Sequence, residues 1–216
     1  MIFVSKFRNI LYYLFLVTVI LFCLSCENHI IQRAAADYFL YKEGNWWRYL
    51  SADSDTAFVE VEAVDSVLQT ECYPVDFDGE LHYILHLPGS IKEYYKFTCN
   101  FSGIDYTIIE SFVTRIELPL VIGNSWQDSL IDSLNVAGQW LKAEYRINGK
   151  VQDFSYEEAF DGDVYEIELY ITEKFTSSDT TTTTETHLCE FYAPDIGLVR
   201  FYREGAEYVL LEYQLQ

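Results

Sequence analysis

The feature that most constrains the fold is an alternation of apolar and polar side chains with a period of two residues. It occurs at residues 59–63, 95–101 and 165–171, and in the last segment Glu166 and Glu168 separate the apolar residues. Because successive side chains of a strand point to opposite faces, this pattern predicts strands with one buried face. No segment shows sustained helical periodicity, so we predict an all-β chain, or a β chain with one minor helix.

Turn-forming dipeptides lie between β-like segments. They are Asp78-Gly79, Ser102-Gly103, Asn148-Gly149, Asp161-Gly162 and Glu204-Gly205. Asn-Gly and Asp-Gly pairs supply the positive φ angles of tight hairpins. Strands joined by hairpins pair in antiparallel fashion, since parallel strands need long crossovers. The sheet is therefore predicted to be antiparallel.

Residues 177–186 form a polar, threonine-rich stretch between two β-like segments. Threonine favours strands, so the stretch is compatible with an exposed edge strand. It has nothing apolar to bury on either face, which favours a mobile hairpin tip. We predict the hairpin tip.

One motif occurs twice. The segment from Phe39 to Trp47 and the segment from Leu118 to Trp126 share an apolar-x-apolar-x-x-Gly-Asn-x-Trp pattern, offset by 79 residues. The apolar pair is expected to close one end of a sheet, Gly-Asn to turn the chain, and the tryptophan to start a strand with its ring in the core. The repetition suggests two similar β halves, residues 39–117 and 118–216, that build one shared sheet.

The N-terminus has the order of a secretory signal. Lys6 and Arg8 precede an apolar run over residues 10–24, and Ser25 and Cys26 follow it. The run is shorter than the roughly 20 residues that a membrane-spanning helix needs, and it fits the apolar region of a signal peptide. We predict a lipoprotein signal peptide at residues 1–25.

The Cys23-to-Cys26 segment resembles a bacterial lipobox, with Cys23 where leucine is usual. Cys26 is accordingly the predicted lipid attachment site, and it would be the first mature residue. Residues 26–38 are predicted to form a tether and residues 39–216 a single antiparallel β domain. The same segment also matches a redox Cys-x-x-Cys pattern, which we set aside because Cys23 lies in the part to be cleaved.

Charge excludes one class of partner. The chain after residue 25 carries 12 Lys and Arg against 34 Asp and Glu, a net charge of −22. A field of this sign repels nucleic acid and anionic membrane surfaces, so no nucleic-acid partner is expected. The 37 aromatic residues of the chain argue against disorder and for a folded β-rich domain.

Three cysteines remain after lipidation. Cys72, Cys99 and Cys189 allow at most one disulfide and leave a free thiol. Cys99 alternates with aromatic residues, so its face is expected to belong to the core, and at least one buried thiol is predicted.

Catalytic, metal and cofactor motifs are not predicted. His82 and His86 would lie about 13 Å apart on one face of a strand, too far for one metal ion, and solvent-facing histidines are favoured. The acidic residues at 76–80 and 161–163 are better explained as hairpin turns than as calcium loops. Ser125 begins a nucleophile-elbow pattern that lacks its closing glycine. We predict no enzyme, no cofactor and no metal site.

Two kinds of contact site are predicted. Trp46 is next to Trp47 on the predicted strand, so its side chain must point to the opposite face. There it could line a cavity, stack on a sugar ring or contact a partner. Five Asp-Ser or Asp-Thr pairs resemble an O-glycosylation motif that one group of Gram-negative bacteria uses on exported proteins, although chance is the alternative in an Asp/Ser/Thr-rich chain. The hydroxyl residues are Thr56, Ser66, Ser129, Ser133 and Thr180.

The two Gly-Asn-x-Trp motifs, with a late Tyr-Ala-Pro-Asp-Ile-Gly-Leu-Val segment at residues 192–199, resemble a broad group of bacterial envelope lipoproteins without assigned activity. The resemblance implies a curved antiparallel sheet, similar to the half-barrels of periplasmic lipoprotein carriers, and an outer-membrane lipoprotein of a Gram-negative bacterium. Two functions stay open. One is binding of an apolar ligand such as an acyl chain in a concave sheet. The other is a glycan- or protein-interaction module without a cavity.

Overall fold

The computed structural model describes residues 37–178, 180–203 and 205–216. The strands of the first half are β1 Trp46–Ser51, β2 Thr56–Val61, β3 Asp65–Val67, β4 Thr70–Phe77, β5 Glu80–Leu87, β6 Ser90–Phe101 and β7 Ile104–Glu117. Those of the second half are β8 Ser125–Val136, β9 Gln139–Glu157, β10 Gly162–Thr176, β11 Thr181–Ala193, β12 Gly197–Arg203 and β13 Ala206–Gln214. A single turn of 3₁₀ helix, Glu158–Phe160, precedes β10.

The strands form one antiparallel sheet in the order β7-β6-β5-β4-β2-β1-β13-β12-β11-β10-β9-β8, and β3 pairs with β4 beside this path. The path runs through the strands of the first half and then, across the β1–β13 ladder, through those of the second half. The two outer strands, β7 and β8, lie side by side, so the sheet is nearly closed into a barrel. The predicted antiparallel β fold is confirmed, and the sheet closes further than a half-barrel.

Side chains join the two outer strands of the sheet. No backbone ladder links β7 and β8 within the described residues. A carboxylate oxygen of Asp128 instead accepts a hydrogen bond from the backbone amide of Thr114 at 2.8 Å, and the indole Nε1 of Trp126 donates to the carbonyl of Arg115 at 2.9 Å. These bonds satisfy backbone groups that an open sheet edge would leave unpaired.

The two Gly-Asn-x-Trp motifs have the same local structure. Gly44 and Gly123 adopt φ angles of 83° and 82°, which a residue with a side chain rarely tolerates. Gly44 donates its amide hydrogen bond to the carbonyl of Val61 and Gly123 donates to that of Val151, each at 2.9 Å. In both motifs the carbonyl of the following asparagine accepts a bond from the same valine at 2.9 Å. The repeated residues therefore make the same turn at the start of β1 and of β8.

The tryptophans of both motifs lie in the core, as predicted. Trp47 is 5% exposed and Trp126 is 7% exposed. Each indole nitrogen donates to a backbone carbonyl of a neighbouring element: Trp47 to Ile196 at 2.6 Å and Trp126 to Arg115 at 2.9 Å. A buried indole N–H needs such a partner, since an unpaired one would cost free energy.

The predicted turn at Asn148-Gly149 is wrong, because both residues lie inside the long strand β9. Gly149 occupies this position because the ring of Trp126 packs directly on its backbone: a Cβ atom there would lie 2.1 Å from two ring carbons. The glycine is required for close packing and not for a positive φ angle. The turn between β8 and β9 is made instead by Ala137 and Gly138, with φ angles of 52° and 85°.

The threonine-rich stretch is mostly strand, so the hairpin-tip prediction is wrong for it. Residues 181–186 belong to β11 and pair with β10 over residues 171–176. Their side chains are exposed on both faces, and β11 pairs with β12 only from Glu190 onward. The alternative of an exposed edge strand describes these residues, because backbone pairing with β10 holds them without burial of side chains.

The six strands from β6 to β11 extend beyond the shorter ones, and this extension has its own apolar core. Buried Ile108, Ile109, Leu141 and Ala143 pack there with half-buried aromatic residues. Cys99 packs against the same cluster, in agreement with the prediction for its face. Within the described residues, no helix has the length and apolar character needed to cross a membrane.

The three described cysteines carry free thiols. Cys72 is buried at 1% exposure, while Cys99 and Cys189 are half-buried. The prediction of at least one buried thiol is confirmed. Burial, followed by the carboxylate of Glu166, raises the pKa of Cys189 to about 12, so this thiol stays protonated at neutral pH.

Candidate functional site

Residues 37–41 form a plug at the end of the barrel where β1 begins. The carbonyl of Asp37 accepts a hydrogen bond from the amide of Asp195 at 2.8 Å, and its carboxylate accepts one from the amide of Phe39 at 2.8 Å. The side-chain amide of Asn45 donates to the carbonyl of Leu40, also at 2.8 Å. Polar anchors at both ends therefore hold the plug in place without strand pairing.

The plug places aromatic rings inside the barrel. The ring of Phe39 lies 4.8 Å from that of Tyr192, between centroids, and the ring of Tyr38 lies 5.3 Å from that of Tyr165. Both plug residues are buried, although the sequence assigned Tyr38 to the predicted tether, residues 26–38. The chain thus enters the core before its first strand.

A cavity of about 100 Å³ lies between the plug and the barrel wall. Most of its lining is aromatic or aliphatic. The residues that line it are Tyr38, Phe39, Leu40, Tyr41, Trp47, Tyr49, Val59, Val75, Phe77, His82, Ile84, Glu93, Arg115, Glu190, Tyr192, Gly197 and Leu198. An apolar cavity with a few convergent polar groups is the usual form of a small-molecule site.

A chain of charged side chains crosses the barrel beside this cavity. The guanidinium of Arg115 on β7 donates to Glu93 on β6 at 2.6 Å and to Glu190 on β11 at 2.5 Å. His82 bonds to Glu93 at 2.6 Å, and the hydroxyl of Tyr192 donates to Glu190 at 2.9 Å. We call these five residues the charged bridge, because they join walls of the barrel that are distant along the sheet.

Within the charged bridge, Glu93 and Arg115 keep their charges despite burial. Burial alone would raise the pKa of Glu93, but Arg115 and the hydrogen bond from His82 outweigh it and lower that pKa to about 2. Burial alone would lower the pKa of Arg115, yet the carboxylates of Glu190 and Glu93 raise it well above its usual value. The guanidinium of Arg115 and the carboxylate of Glu93 are therefore ionised inside the barrel at neutral pH.

We expect Glu93→Gln to remove part of the acid sensitivity of folding. The carboxyl of Glu93 titrates near 4.5 when unperturbed and at about 2 in the folded chain. Its ionised form therefore stabilises the fold above a pH of about 4.5, and this contribution disappears as the pH falls through about 2. By linkage, a difference of this size corresponds to about 3 kcal/mol, as an order of magnitude.

Urea unfolding at several pH values tests this expectation. The free energy of unfolding of the wild-type chain should fall more steeply between about pH 5 and pH 2 than that of Glu93→Gln. Glu60→Gln, an exposed change on β2, is a control that should retain the wild-type slope. Equal slopes for wild type and Glu93→Gln would contradict the assignment of this carboxylate as a stabilising partner of Arg115.

The structure places Trp46 outside the cavity. Its neighbour Trp47 lines the cavity, whereas Trp46 is half-buried, with its ring centroid 5.8 Å from that of Phe58. Phe58, Leu50 and Val209 are exposed large apolar residues at 38 to 42%. Leu50 on β1 pairs with Val209 on β13, so Trp46 belongs to an outer apolar patch that these residues form.

The five residues of the predicted glycosylation motif are all exposed. Their hydroxyl groups belong to Thr56, Ser66, Ser129, Ser133 and Thr180. Exposure is a necessary condition for modification, so glycosylation at these residues stays a prediction. Cys26, the predicted lipid attachment site, lies outside the described residues.

The prediction for the histidines is wrong for His82. His82 and Ile84 occupy the same face of β5, and that face lines the cavity, so His82 reaches Glu93. His86 is exposed, with its ring centroid 6.2 Å from that of Tyr41. Among the described residues, no group of three or more His, Cys, Asp or Glu is arranged to hold a metal ion.

The charged bridge was not predicted from the sequence. In a chain with 34 acidic residues, no single glutamate stands out. Arg115 does not stand out either, because it lies at a register shift of β7 against β6, next to Ile116, which is 0% exposed. Alternation of apolar and polar residues therefore does not indicate to which side its side chain points.

Comparison with known proteins gives one structural likeness. No family model matches the chain and no curated protein matches it. A solved structure of a candidate lipoprotein from Parabacteroides distasonis ATCC 8503 is similar, with a TM-score of 0.43, 15% identity, and coverage of 83% of this chain and 99% of that chain.

Proposed function

We propose that the chain is a non-catalytic, lipid-anchored protein of a Gram-negative outer membrane that binds a small apolar ligand in the cavity. The observation that carries the binding proposal is the cavity itself, which residues such as Phe39, Trp47 and Tyr49 line. The lipid anchor is supported by the signal-peptide order before Cys26.

The size of the cavity bounds the ligand. A dry cavity of about 150 Å³ accepts benzene, and the cavity here measures about 100 Å³. A long acyl chain does not fit in that volume. The ligand is therefore a short molecule, or one end of an acyl chain whose remainder lies outside the barrel.

Probe binding tests the proposal on the mature chain without its lipid, residues 27–216. A small apolar probe, pentane, should bind saturably when followed by protein NMR shifts, and Val59→Phe should abolish this binding because Val59 lines the cavity and the larger ring fills it. Glu60→Phe adds the same ring at an exposed position of β2 and should leave binding unchanged. Equal binding by both variants would place the probe outside the cavity.

The outer apolar patch supports a second candidate function, that of a glycan- or protein-interaction module. Its evidence is the group of Trp46, Phe58, Leu50 and Val209 on the outer face of β1, β2 and β13. Absence of saturable probe binding, together with loss of a cell-envelope partner on Trp46→Ala, would favour this function over ligand binding in the cavity.

The anchor has its own test. We expect Cys26→Ala to release the protein from the membrane fraction or to stall its processing, since the thiol of Cys26 is the acceptor for the lipid. Fractionation of cells followed by mass spectrometry of the mature N-terminus measures both results. Cys72→Ala, a change at a buried thiol, is the control that should stay membrane-bound. A processed and membrane-bound Cys26→Ala variant would contradict the assignment.

A further inference from the structure

Hydrogen-bond donors without partners lie among the polar groups of the cavity lining. A guanidinium has five N–H donors, and within the described residues those of Arg115 make two hydrogen bonds, to Glu93 and to Glu190. The hydroxyl of Tyr41, which also lines the cavity, makes no hydrogen bond within the same part of the chain. Three N–H groups of Arg115 and the hydroxyl of Tyr41 therefore have no hydrogen-bond partner within the described residues.

Each carboxylate oxygen of the charged bridge, by contrast, already accepts a hydrogen bond. The two oxygens of Glu93 accept hydrogen bonds from His82 and Arg115, and those of Glu190 accept from Arg115 and Tyr192. Glu93 and Glu190 have 16% and 11% of their side chains exposed. A second lone pair left unused on such an oxygen costs less free energy than an unpaired N–H or O–H group, so a ligand that supplies an acceptor gains more here than one that supplies a donor.

Charge narrows the choice of ligand further. An anionic ligand would lie close to the carboxylates of Glu93 and Glu190, and a cationic ligand would lie close to the guanidinium of Arg115. Moving either ion out of water into an apolar cavity also carries a large desolvation cost. An uncharged ligand with a hydrogen-bond acceptor avoids both the repulsion by a like charge and the desolvation cost of an ion. Its acceptor still satisfies the unpaired donors of Arg115 and Tyr41.

We propose that the cavity binds a small uncharged carbonyl compound, an ester or an amide, whose carbonyl oxygen accepts hydrogen bonds from Arg115 and Tyr41. Its short alkyl part contacts Phe39, Trp47 and Tyr49, which line the same cavity. This inference rests on the proposed function, since it names the ligand class of that cavity. Burial raises the pKa of Tyr41 well above its usual value, so its hydroxyl keeps the proton that it donates.

Four probes with the same number of non-hydrogen atoms, each smaller than benzene, test the ligand class: methyl acetate, propanoate, butylammonium and pentane. Each is titrated at pH 7 into the mature chain without its lipid, residues 27–216, and binding is followed by protein NMR shifts of residues that line the cavity. We expect methyl acetate to bind most tightly. Tightest binding by propanoate, butylammonium or pentane would overturn the inference and leave the proposed function standing, whereas binding of none of the four would overturn both.

A variant that lacks one hydroxyl oxygen tests the contact itself. Tyr41→Phe should weaken methyl acetate binding by about 2- to 12-fold, the range for loss of one neutral hydrogen bond, and should leave pentane binding unchanged. Tyr213→Phe removes a hydroxyl from a side chain that is 45% exposed and outside the cavity lining, so it should change the binding of neither probe. An unchanged ester affinity in Tyr41→Phe would overturn the assigned contact, while equal losses for ester and pentane would show a packing effect and overturn it as well.

Discussion

Arg115→Ala is expected to lower the free energy of unfolding by about 3–5 kcal/mol, the usual result of removing one partner from a buried ion pair. The change leaves the carboxylates of Glu93 and Glu190 without the guanidinium that both contact within 2.6 Å. Two like charges then remain inside the barrel, close to each other and poorly hydrated. Urea unfolding at pH 7, monitored by tryptophan fluorescence, measures the loss.

An exposed ion pair is the matched control for this prediction. Arg48 on β1 bonds to Glu212 on β13 at 2.7 Å, but the two side chains are 45% and 46% exposed. Arg48→Ala should therefore cost less than about 1 kcal/mol. Adding Glu93→Gln and Glu190→Gln to Arg115→Ala should recover part of its loss, since neutral amides replace the unpaired charges. A loss below about 1 kcal/mol for Arg115→Ala would mean that the bridge contributes little to stability.

Trp126→Ala and Gly149→Ala are each expected to destabilise the fold strongly. Removal of a buried tryptophan costs about 3–5 kcal/mol, and Trp126 also anchors the β7–β8 contact through its bond to the carbonyl of Arg115. A methyl group on Gly149 would lie 2.1 Å from the ring carbons of Trp126. Overpacking of this kind costs about 1–3 kcal/mol or more. Denaturant unfolding of each variant measures both losses.

The two changes should not be additive, because the clash at Gly149 needs the ring of Trp126. In the Trp126→Ala chain, Gly149→Ala should cost less than in the wild-type chain, and a double-mutant cycle measures the difference. Gly89→Ala is the control, since a Cβ atom at Gly89 has nothing within 4 Å. Additive losses within about 0.5 kcal/mol would show that the two residues do not share the packing described here.

Local patterns in the sequence were sufficient for the fold class. Period-two alternation depends on the geometry of single strands, so it predicted a strand correctly at residues 165–171 and, as far as Val61, at residues 59–63. The dipeptides Asp78-Gly79 and Ser102-Gly103 make hairpin turns with the predicted positive φ angles. The repeated Gly-Asn-x-Trp motif predicted two equivalent turns because its function is local as well. Each of these features depends only on residues that are close to one another in the sequence.

Asn148-Gly149 shows where local rules fail. The dipeptide has the composition of a hairpin turn, yet it lies within β9 because Trp126, on the adjacent strand β8, needs a residue without a side chain beneath its ring. The free energy that a glycine contributes to a turn is smaller than the free energy gained by burying an indole ring. Only the register of β8 against β9 reveals which of the two requirements the glycine meets.

The sequence by itself determined the antiparallel β class and the burial of Trp47 and Trp126. The lipid anchor at Cys26 also rests on the sequence alone and stays a prediction. Tertiary structure alone decided the near-closure of the sheet, the plug at residues 37–41 and the charged bridge. Glu93 and Glu190 lie on β6 and β11, and only closure of the barrel brings both to Arg115. The physical reason is that the free energy of a buried charge depends on partners distant in the chain, whereas strand and turn patterns are set by residues close in sequence.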